Sequence, residues 1–299
     1  MNSANMKTVM QSMRVPFLLL TPAILMLAFG IAKQAGSDLH WLDLTLIMVA
    51  GIAAHISVNC LNEYADFHSG LDLNTERTPF SGGSGGLLAN PNAAKAVFVA
   101  GIVALVVCTL IGLYYIQIFG YELLLLGTVG ALIIVAYTPL LNRYAWACLV
   151  APGLSFGPLM IMGTWYVLVG EFDWAPLLIS LVPFFLVNNL LLLNQFPDVE
   201  ADRQSGRKHF VISYGYQFSA YMFGMQAMAA VFVLLGSIVN GYVPPLSIVV
   251  MLPLGLQLVA FYGANKHQHN IAALAPYMAM NVASNILTPL VFGLVLLWG

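Results

Sequence analysis

Nine long apolar segments constrain the fold of this chain more than any other feature. A helix needs roughly 20 mostly apolar residues to cross the hydrocarbon region of a bilayer. The segments are 14–34, 42–65, 93–118, 122–141, 144–169, 175–195, 216–240, 244–264 and 272–298. Only 7% of the 299 residues are charged, whereas a soluble domain carries roughly 25%. The sequence therefore predicts an all-α polytopic membrane protein with nine transmembrane helices and excludes soluble globular classes.

The basic residues are distributed unevenly between the two ends of these segments. If the N-terminus is cytoplasmic, nine of the ten lysines and arginines lie on the cytoplasmic side, and only Lys33 lies opposite. Such a bias is typical of the positive-inside pattern. We therefore expect a protein of the bacterial inner membrane with a cytoplasmic N-terminus. We also expect a single domain, 1–299, surrounded by membrane lipid, with no nucleic-acid partner.

Two acidic windows stand out against this apolar background. The first window is 62–72, with the sequence NEYADFHSGLD, and the second window is 194–202, with the sequence NQFPDVEAD. The 12 acidic residues include seven in or beside these windows: Glu63, Asp66, Asp72, Glu76, Asp198, Glu200 and Asp202. Carboxylates at the ends of membrane helices are costly to keep, so they indicate a functional site.

The spacing of the windows brings them to the same side of the membrane. Four predicted spans separate them, and an even number of spans returns the chain to the same face in the same direction. This favours two similar four-helix halves plus one additional helix. Residues four apart share a helix face, so Asn62 lies with Asp66, and Asn194 lies with Asp198 and Asp202.

Carboxylate and amide oxygens without a histidine or cysteine partner favour a hard cation. Mg²⁺ suits such ligands and usually bridges them to substrate phosphates. Basic residues follow both windows, with Arg77 after the first and Arg203, Arg207 and Lys208 after the second. This combination predicts a metal–diphosphate site. The glycine-rich segment 81–86 is either a backbone cradle for phosphate or simply a flexible loop.

Solvated loops and a small-molecule transporter are the alternatives to a catalytic site. A transport site is usually formed by broken helices near the middle of the membrane. The acidic windows here lie at the predicted cytoplasmic edge instead. That position favours catalysis on a diphosphate headgroup with a lipid tail.

Three motifs resemble those of the UbiA superfamily of intramembrane aromatic prenyltransferases. They are the N-x-x-x-D pattern of the first window, the D-x-x-x-D pattern at 198–202, and the stretch Tyr137–Leu140 with Arg143. Segments 156–158 and 163–166 resemble the 1,4-dihydroxy-2-naphthoate polyprenyltransferase branch, which acts in menaquinone synthesis. The departures from that branch are Glu63, Gln195 and Pro197.

The site chemistry and the resemblance together imply a set of roles. The cofactor is Mg²⁺, and the substrates are an allylic polyprenyl diphosphate and an aromatic acceptor such as 1,4-dihydroxy-2-naphthoate. The implied metal ligands are Asn62, Asp66, Asp72, Asn194, Asp198 and Asp202. The implied substrate-binding residues are Arg77, Arg143, Arg207, Lys208, Asn59, His55 and Tyr64. The implied catalytic residues are Asp66, Asp198 and Tyr137, and the ring faces of Tyr64 and Tyr137 would stabilise an allylic cation.

Several points stay open at the level of the sequence. The same scaffold could serve 4-hydroxybenzoate, homogentisate, a glycerol-phosphate lipid or haem as the acceptor. His55 either contacts the acceptor or is satisfied by a neighbouring helix. Asn188 and Asn189 either line the acceptor pocket or form hydrogen bonds between helices.

Overall fold

The computed structural model describes residues 3–71 and 77–299, and it contains helices and turns but no strand within these ranges. In chain order the helices are α1 (Ser3–Ser12), α2 (Leu20–Gln34), α3 (Trp41–Ser69), α4 (Gly86–Ala89), α5 (Ala94–Phe119), α6 (Tyr121–Ala136), α7 (Ala145–Leu154), α8 (Met160–Val169), α9 (Trp174–Asn194), α10 (Val199–Gln204), α11 (Phe210–Val239), α12 (Met251–Leu254), α13 (Leu256–Lys266) and α14 (Ile271–Trp298). A π-helical segment, Ser155–Leu159, joins α7 to α8, and 3₁₀ turns precede α2 and α12.

Eight segments of the described chain are long and apolar enough to cross a membrane. They are Val15–Gln34, Trp41–Ser69, Pro91–Phe119, Ala145–Val169, Trp174–Asn194, Phe210–Val239, Pro245–Lys266 and Ile271–Trp298. The prediction of an all-helical membrane protein is confirmed, but the predicted count of nine spans is wrong by one on this measure.

The exception is the predicted span 122–141, where α6 has only 16 residues. At 1.5 Å per residue, α6 is about 24 Å long, which is shorter than the roughly 30 Å of a hydrocarbon core. Pro139 explains the early end, because a proline disfavours helical backbone at the residue before it. The turn after α6 still reaches the first window, since the Asn62 side-chain amide donates to the Thr138 hydroxyl at 2.9 Å.

Helix ends place the two windows. The first window begins in the last two turns of α3, which ends at Gly70 in a left-handed conformation (φ 75°). The second window begins at Asn194, the last residue of α9, and Asp198 precedes α10. Gly215 interrupts α11 with non-helical backbone (φ 81°, ψ 166°), which agrees with the predicted span starting at residue 216.

The largest buried cluster of the bundle contains no residue of either window. It is built from α2, α8, α9, α11 and α14, and its centre includes the fully buried Ile161, Leu186 and Phe292. Helix α2 packs most extensively on α14, α3 on α5, and α9 on α11. The paired helices α3–α5 and α9–α11 therefore flank the first and second windows, respectively.

Asn188 and Asn189 serve as hydrogen-bond partners between helices. The Asn188 side chain accepts from the Gly153 amide at 2.8 Å. The Asn189 amide donates to Gln257 and accepts from Gln226, each at 3.2 Å. Both asparagines are buried, and neither lines the cavities described below. The structure therefore favours the interhelical alternative for this pair.

Candidate active site

The two windows meet in a polar pocket of about 110 Å³. Asn62 and Asp66 line it from the end of α3, Asn194 from the end of α9, and Asp198 and Asp202 from the α10 region. Five of the six predicted metal ligands therefore come together. The sixth, Asp72, lies outside the described residues.

Arg207 links the two windows across this pocket. Its guanidinium pairs with Asp66 of the first window and, at 3.0 Å, with Asp202 of the second. Burial by itself lowers the pKa of the guanidinium, but the two carboxylates outweigh that effect, so the pKa of Arg207 is raised. Arg207 is therefore a fixed positive charge in the wall of the pocket, as expected for a group that meets a diphosphate.

The glycine-rich segment forms a second link between the windows, through residues 78–84, which we term the strap loop. At one end, the Ser84 amide donates to both oxygens of Glu63 at 3.1 and 3.0 Å, and its hydroxyl donates to the same carboxylate. In the middle of the strap loop, hydrogen bonding from the Ser81 side chain and the Gly82 backbone acts to lower the pKa of Asp198. Gly82 and Gly83 have φ values of 81° and 74°, which only glycine adopts without strain.

The Asp198 carboxyl has strongly perturbed electrostatics. Burial, and after it the neighbouring Asp202 carboxylate, raises the pKa of Asp198 to about 7, although the bonds from Ser81 and Gly82 oppose the rise. One buried oxygen of Asp198 has no hydrogen-bond partner in the described structure, and the same holds for the Asn194 and Gln195 side-chain oxygens. Unsatisfied oxygens are costly to bury, so they indicate that a cation or donor completes the site.

The donor set fits a hard cation that shares its ligands with a substrate. Within the described ranges, no three His, Cys, Asp or Glu side chains form a group that could hold a metal ion by themselves. Mg²⁺ does not require such a group, because it is usually bound through one or two carboxylates together with waters and substrate phosphates. Asp198 with the Asn194 oxygen supplies ligands of this kind.

A larger apolar cavity of about 510 Å³ adjoins the polar pocket. Its walls come mainly from α3, α5, α6, α8 and the π-helical segment. The two spaces share Arg14, Asn62, Phe80, Tyr137 and Asn194, together with Leu191. These shared residues form the junction, where a polar headgroup site passes directly into an apolar channel.

Three further predicted residues line the apolar cavity near its polar end. His55 is buried, shares a 2.9 Å hydrogen bond with the Thr21 hydroxyl and contacts Phe156 edge-on. Asn59 donates to the Met13 carbonyl at 3.0 Å. Tyr137 lies at the junction, with its hydroxyl 3.8 Å from the sulfur of Cys148.

The remaining predicted residues are not brought into the pocket. Arg77 is exposed and packs its guanidinium over Gly85, where a side chain would collide with it. Arg143 and Lys208 are exposed and line neither cavity. Tyr64 contacts Phe98 and His68, with ring centroids 4.8 and 4.1 Å away. These side chains are close to a window in the sequence, but they do not line the pocket.

Several residues of the candidate site were not predicted from the sequence. Arg14 lines the pocket, lies 3.9 Å from Glu63 and has a left-handed backbone (φ 52°). The His209 ring nitrogen lies 3.2 Å from Asp202. Asn142 and Cys148 also line the pocket. The helical periodicity of the sequence does not identify these residues. Glu63, the partner of Arg14, was noted in the sequence only as a departure from the family pattern.

Known proteins resemble this chain over most of its length. The profile of the UbiA prenyltransferase family matches residues 23–285. A 1,4-dihydroxy-2-naphthoate octaprenyltransferase of Bacillus subtilis is 27% identical over 221 residues, covering 72% of this chain and 70% of that protein. Its namesake in Escherichia coli is 26% identical over 212 residues, covering 66% and 67%.

Solved structures share the fold at low sequence identity. A UbiA homologue from Aeropyrum pernix has a TM-score of 0.69 at 15% identity, covering 91% of this chain and 95% of that one. A UbiA homologue from Archaeoglobus fulgidus, bound to GPP and Mg²⁺, has a TM-score of 0.64 at 13% identity, covering 97% and 99%. The predicted resemblance is confirmed, and the transporter alternative is set aside. The chain belongs to the UbiA prenyltransferase family and is an integral membrane prenyltransferase.

Proposed function

We propose that this protein transfers a polyprenyl group from an allylic diphosphate to 1,4-dihydroxy-2-naphthoate in a Mg²⁺-dependent reaction of menaquinone synthesis. One observation carries the proposal: the polar pocket opens directly into the apolar cavity at the junction. A polyprenyl diphosphate has the same two parts, a charged head and an apolar tail. The allylic C–O bond that must break joins those parts, so it would lie at the junction.

The acceptor and the metal are supported by the relatives. Three curated relatives carry the name 1,4-dihydroxy-2-naphthoate octaprenyltransferase. The structure from Archaeoglobus fulgidus was solved with GPP and Mg²⁺. In this chain, the unsatisfied oxygens of Asn194 and Asp198 fit a hard cation, with Asp66, Asp202, Asn62 and the undescribed Asp72 as the further ligands that we propose.

Two arginine side chains are placed to contact the diphosphate headgroup. Arg14 and Arg207 line the pocket and would stabilise the negative charge that grows on the diphosphate as the C–O bond breaks. Arg77, Arg143 and Lys208 do not line the pocket, so we assign this role to Arg14 and Arg207 instead. Mg²⁺, when bound, would act as a Lewis acid that neutralises the same oxygens.

The junction would shape the reacting end of the donor. The apolar cavity would hold the tail and keep water from the allylic carbon, because its walls are mostly apolar. The Tyr137 ring lies at this point and could face the developing allylic cation. The ring of the acceptor would form the new carbon–carbon bond with the allylic carbon as the diphosphate leaves. The attacked ring carbon would then lose its proton, or its carboxylate as CO2, to restore aromaticity.

The charge distribution supports a cytoplasmic site. Nine of the ten basic residues fall on the side that carries both windows. We therefore propose that the polar pocket faces the cytoplasm of a bacterial inner membrane, where a water-soluble acceptor is available.

The test uses the full chain purified in detergent, with a polyprenyl diphosphate, 1,4-dihydroxy-2-naphthoate and Mg²⁺. We expect release of pyrophosphate and a product whose mass is that of a prenylated naphthalene. Chelation with EDTA should stop the reaction, and added Mg²⁺ should restore it.

A matched pair of variants tests the role of the second window. Asp198→Asn should lower kcat by at least roughly 100-fold, as removal of a key electrostatic contact typically does. Glu200→Gln is the control, because Glu200 is exposed and lies only two residues away. No pyrophosphate release with any aromatic acceptor, or equal rates in the two variants, would refute the proposal.

A further inference from the structure

A third space, an open groove of about 740 Å³, lies between α1 and the strap loop. One side is formed by Met6, Lys7 and Met10, which lie at helical spacing on the same face of α1. The other side is formed by residues of the strap loop, including Phe80. The proposed function places the donor headgroup in the polar pocket and its tail in the apolar cavity, so it assigns no substrate to this groove.

Helix α1 is a firmly placed wall of the groove. The Asn90 side chain donates to Asn5 at 3.0 Å and to Thr8 at 3.3 Å. The opposite face of α1 is buried through Thr8, Val9 and Ser12. A wall that is anchored on its buried face can present its exposed face as a preorganised surface.

The groove leads to the reacting position. Arg14 and Phe80 line the groove, the polar pocket and the apolar cavity, and they are therefore common to all three spaces. If the diphosphate fills the polar pocket and the tail fills the apolar cavity, the groove offers an approach to the junction. A second substrate must reach the junction while the donor is bound.

The chemistry of the groove fits an aromatic anion. Met6 and Met10 are 49% and 54% exposed and offer flexible, polarisable contact to a flat ring. Phe17 and Phe80 add aromatic faces. None of the ion pairs in the described structure includes Lys7, so its ammonium is open to an incoming carboxylate.

We propose that this groove binds the aromatic carboxylate acceptor, with Lys7 facing the carboxylate, and delivers its ring to the junction. The inference rests on the proposed function, because it assigns the site of the second substrate. An anionic lipid headgroup is the other occupant that the same cations could attract, and the test separates the two.

The experiment measures binding directly, by equilibrium dialysis of the full chain in phosphatidylcholine nanodiscs. The probes are 1-hydroxy-2-naphthoate and 1-naphthol, which lacks the carboxylate. Lys7→Ala should raise the Kd of the naphthoate roughly 1.5-fold to fivefold, as expected for one exposed ion pair. The Kd of 1-naphthol should not change. Lys95→Ala, another exposed lysine outside the groove, is the control and should leave both Kd values unchanged.

A second variant tests the groove without relying on charge. Met10→Trp should fill the space and raise the Kd of both probes. Met225→Trp on α11 is its control, since Met225 is 55% exposed and lies outside the groove. Equal behaviour of each variant and its control would overturn the proposal. Naphthoate binding that is lost in phosphatidylglycerol nanodiscs and recovered by Lys7→Ala would identify a lipid occupant and would also overturn it.

The transfer assay distinguishes failure of the groove assignment from failure of the proposed function. If the unmodified chain releases pyrophosphate but Lys7→Ala and Met10→Trp keep the acceptor KM unchanged, the groove assignment fails and the proposed function stands. If the chain binds naphthoate in the groove but releases no pyrophosphate with any acceptor, the proposed function fails and the binding site stands.

Discussion

Glu63 offers the sharpest test of how the site is held together. Its carboxylate is 1% exposed and accepts the Ser84 amide and hydroxyl, so it anchors one end of the strap loop. Arg14 lies 3.9 Å away. Glu63→Ala removes the acceptor and leaves the donors of Ser84 without a partner. We expect the strap loop to detach locally while the bundle stays folded.

The magnitude follows from these contacts. A hydrogen bond to a charged group contributes about 1.5–3 kcal/mol, and Ser84 makes two kinds of such bonds, through its amide and its hydroxyl. The Arg14 pair is long and partly exposed, so it adds at most about 1 kcal/mol. Water that enters the space left by the side chain recovers part of the loss. We therefore expect a net cost of about 2–4 kcal/mol for holding the loop closed.

Limited proteolysis with trypsin measures this cost. Arg77 is exposed and immediately precedes the strap loop, so cleavage after it reports loop opening. When opening is fast compared with cleavage, the rate follows the population of the open form. A cost of about 2 kcal/mol corresponds to roughly 30-fold faster cleavage. Mass spectrometry of the fragments assigns the cut.

Two comparison variants sharpen the test. Glu200→Ala removes an exposed glutamate that accepts a hydrogen bond from Gln204 at 3.1 Å, and it should change the cleavage rate little. Glu63→Gln keeps an acceptor for Ser84 and should lie between the native chain and Glu63→Ala. Equal cleavage of Glu63→Ala and Glu200→Ala would show that Glu63 does not hold the loop.

Two other predictions concern the cavity and the core. Gly130 lines the apolar cavity, and a Cβ there meets no atom within 4 Å, so Gly130→Leu should fit but narrow the channel. We expect the ratio of the KM for a long polyprenyl diphosphate to the KM for geranyl diphosphate to rise several-fold. Gly236→Leu is the control, since Gly236 is equally open but lies outside the cavity, and it should leave this ratio unchanged. Asn189→Leu removes a hydrogen-bond partner from both Gln226 and Gln257, so it should lower the free energy of unfolding by about 1–3 kcal/mol. Titration with dodecyl sulfate measures this change, and the KM of the donor should stay the same. An unchanged unfolding midpoint would contradict this account.

The windows could be predicted because charge is rare in this chain. An apolar helix tolerates few carboxylates at its ends, so Asp66 and Asp198 mark a site wherever the helices go. The period of the α-helix then fixes which neighbours share their face, and the structure indeed places Asn62 and Asn194 in the same pocket. The length of α6 was less predictable, because Pro139 ends the helix within an otherwise apolar segment.

The positions of the basic side chains could not be predicted from helical periodicity. Arg207 and Lys208 are adjacent in sequence, yet only Arg207 lines the pocket. Both follow the end of α10, where no helical period fixes the direction of a side chain. Arg14 was missed for a similar reason, since its left-handed backbone departs from any regular element. Glu63 was noticed as a departure, but its role depends on a loop contact 21 positions away.

The two links between the windows differ in how they respond to a bound diphosphate. The Arg207 link consists of charge-assisted hydrogen bonds, and its guanidinium can exchange Asp66 or Asp202 for phosphate oxygens of similar geometry. The strap loop instead joins Glu63 to Asp198 partly through backbone and hydroxyl groups, which carry no net charge. We therefore expect donor binding to weaken the first link and leave the second intact. On this argument the strap loop keeps the windows at a fixed spacing during the step in which Arg207 is drawn to the substrate.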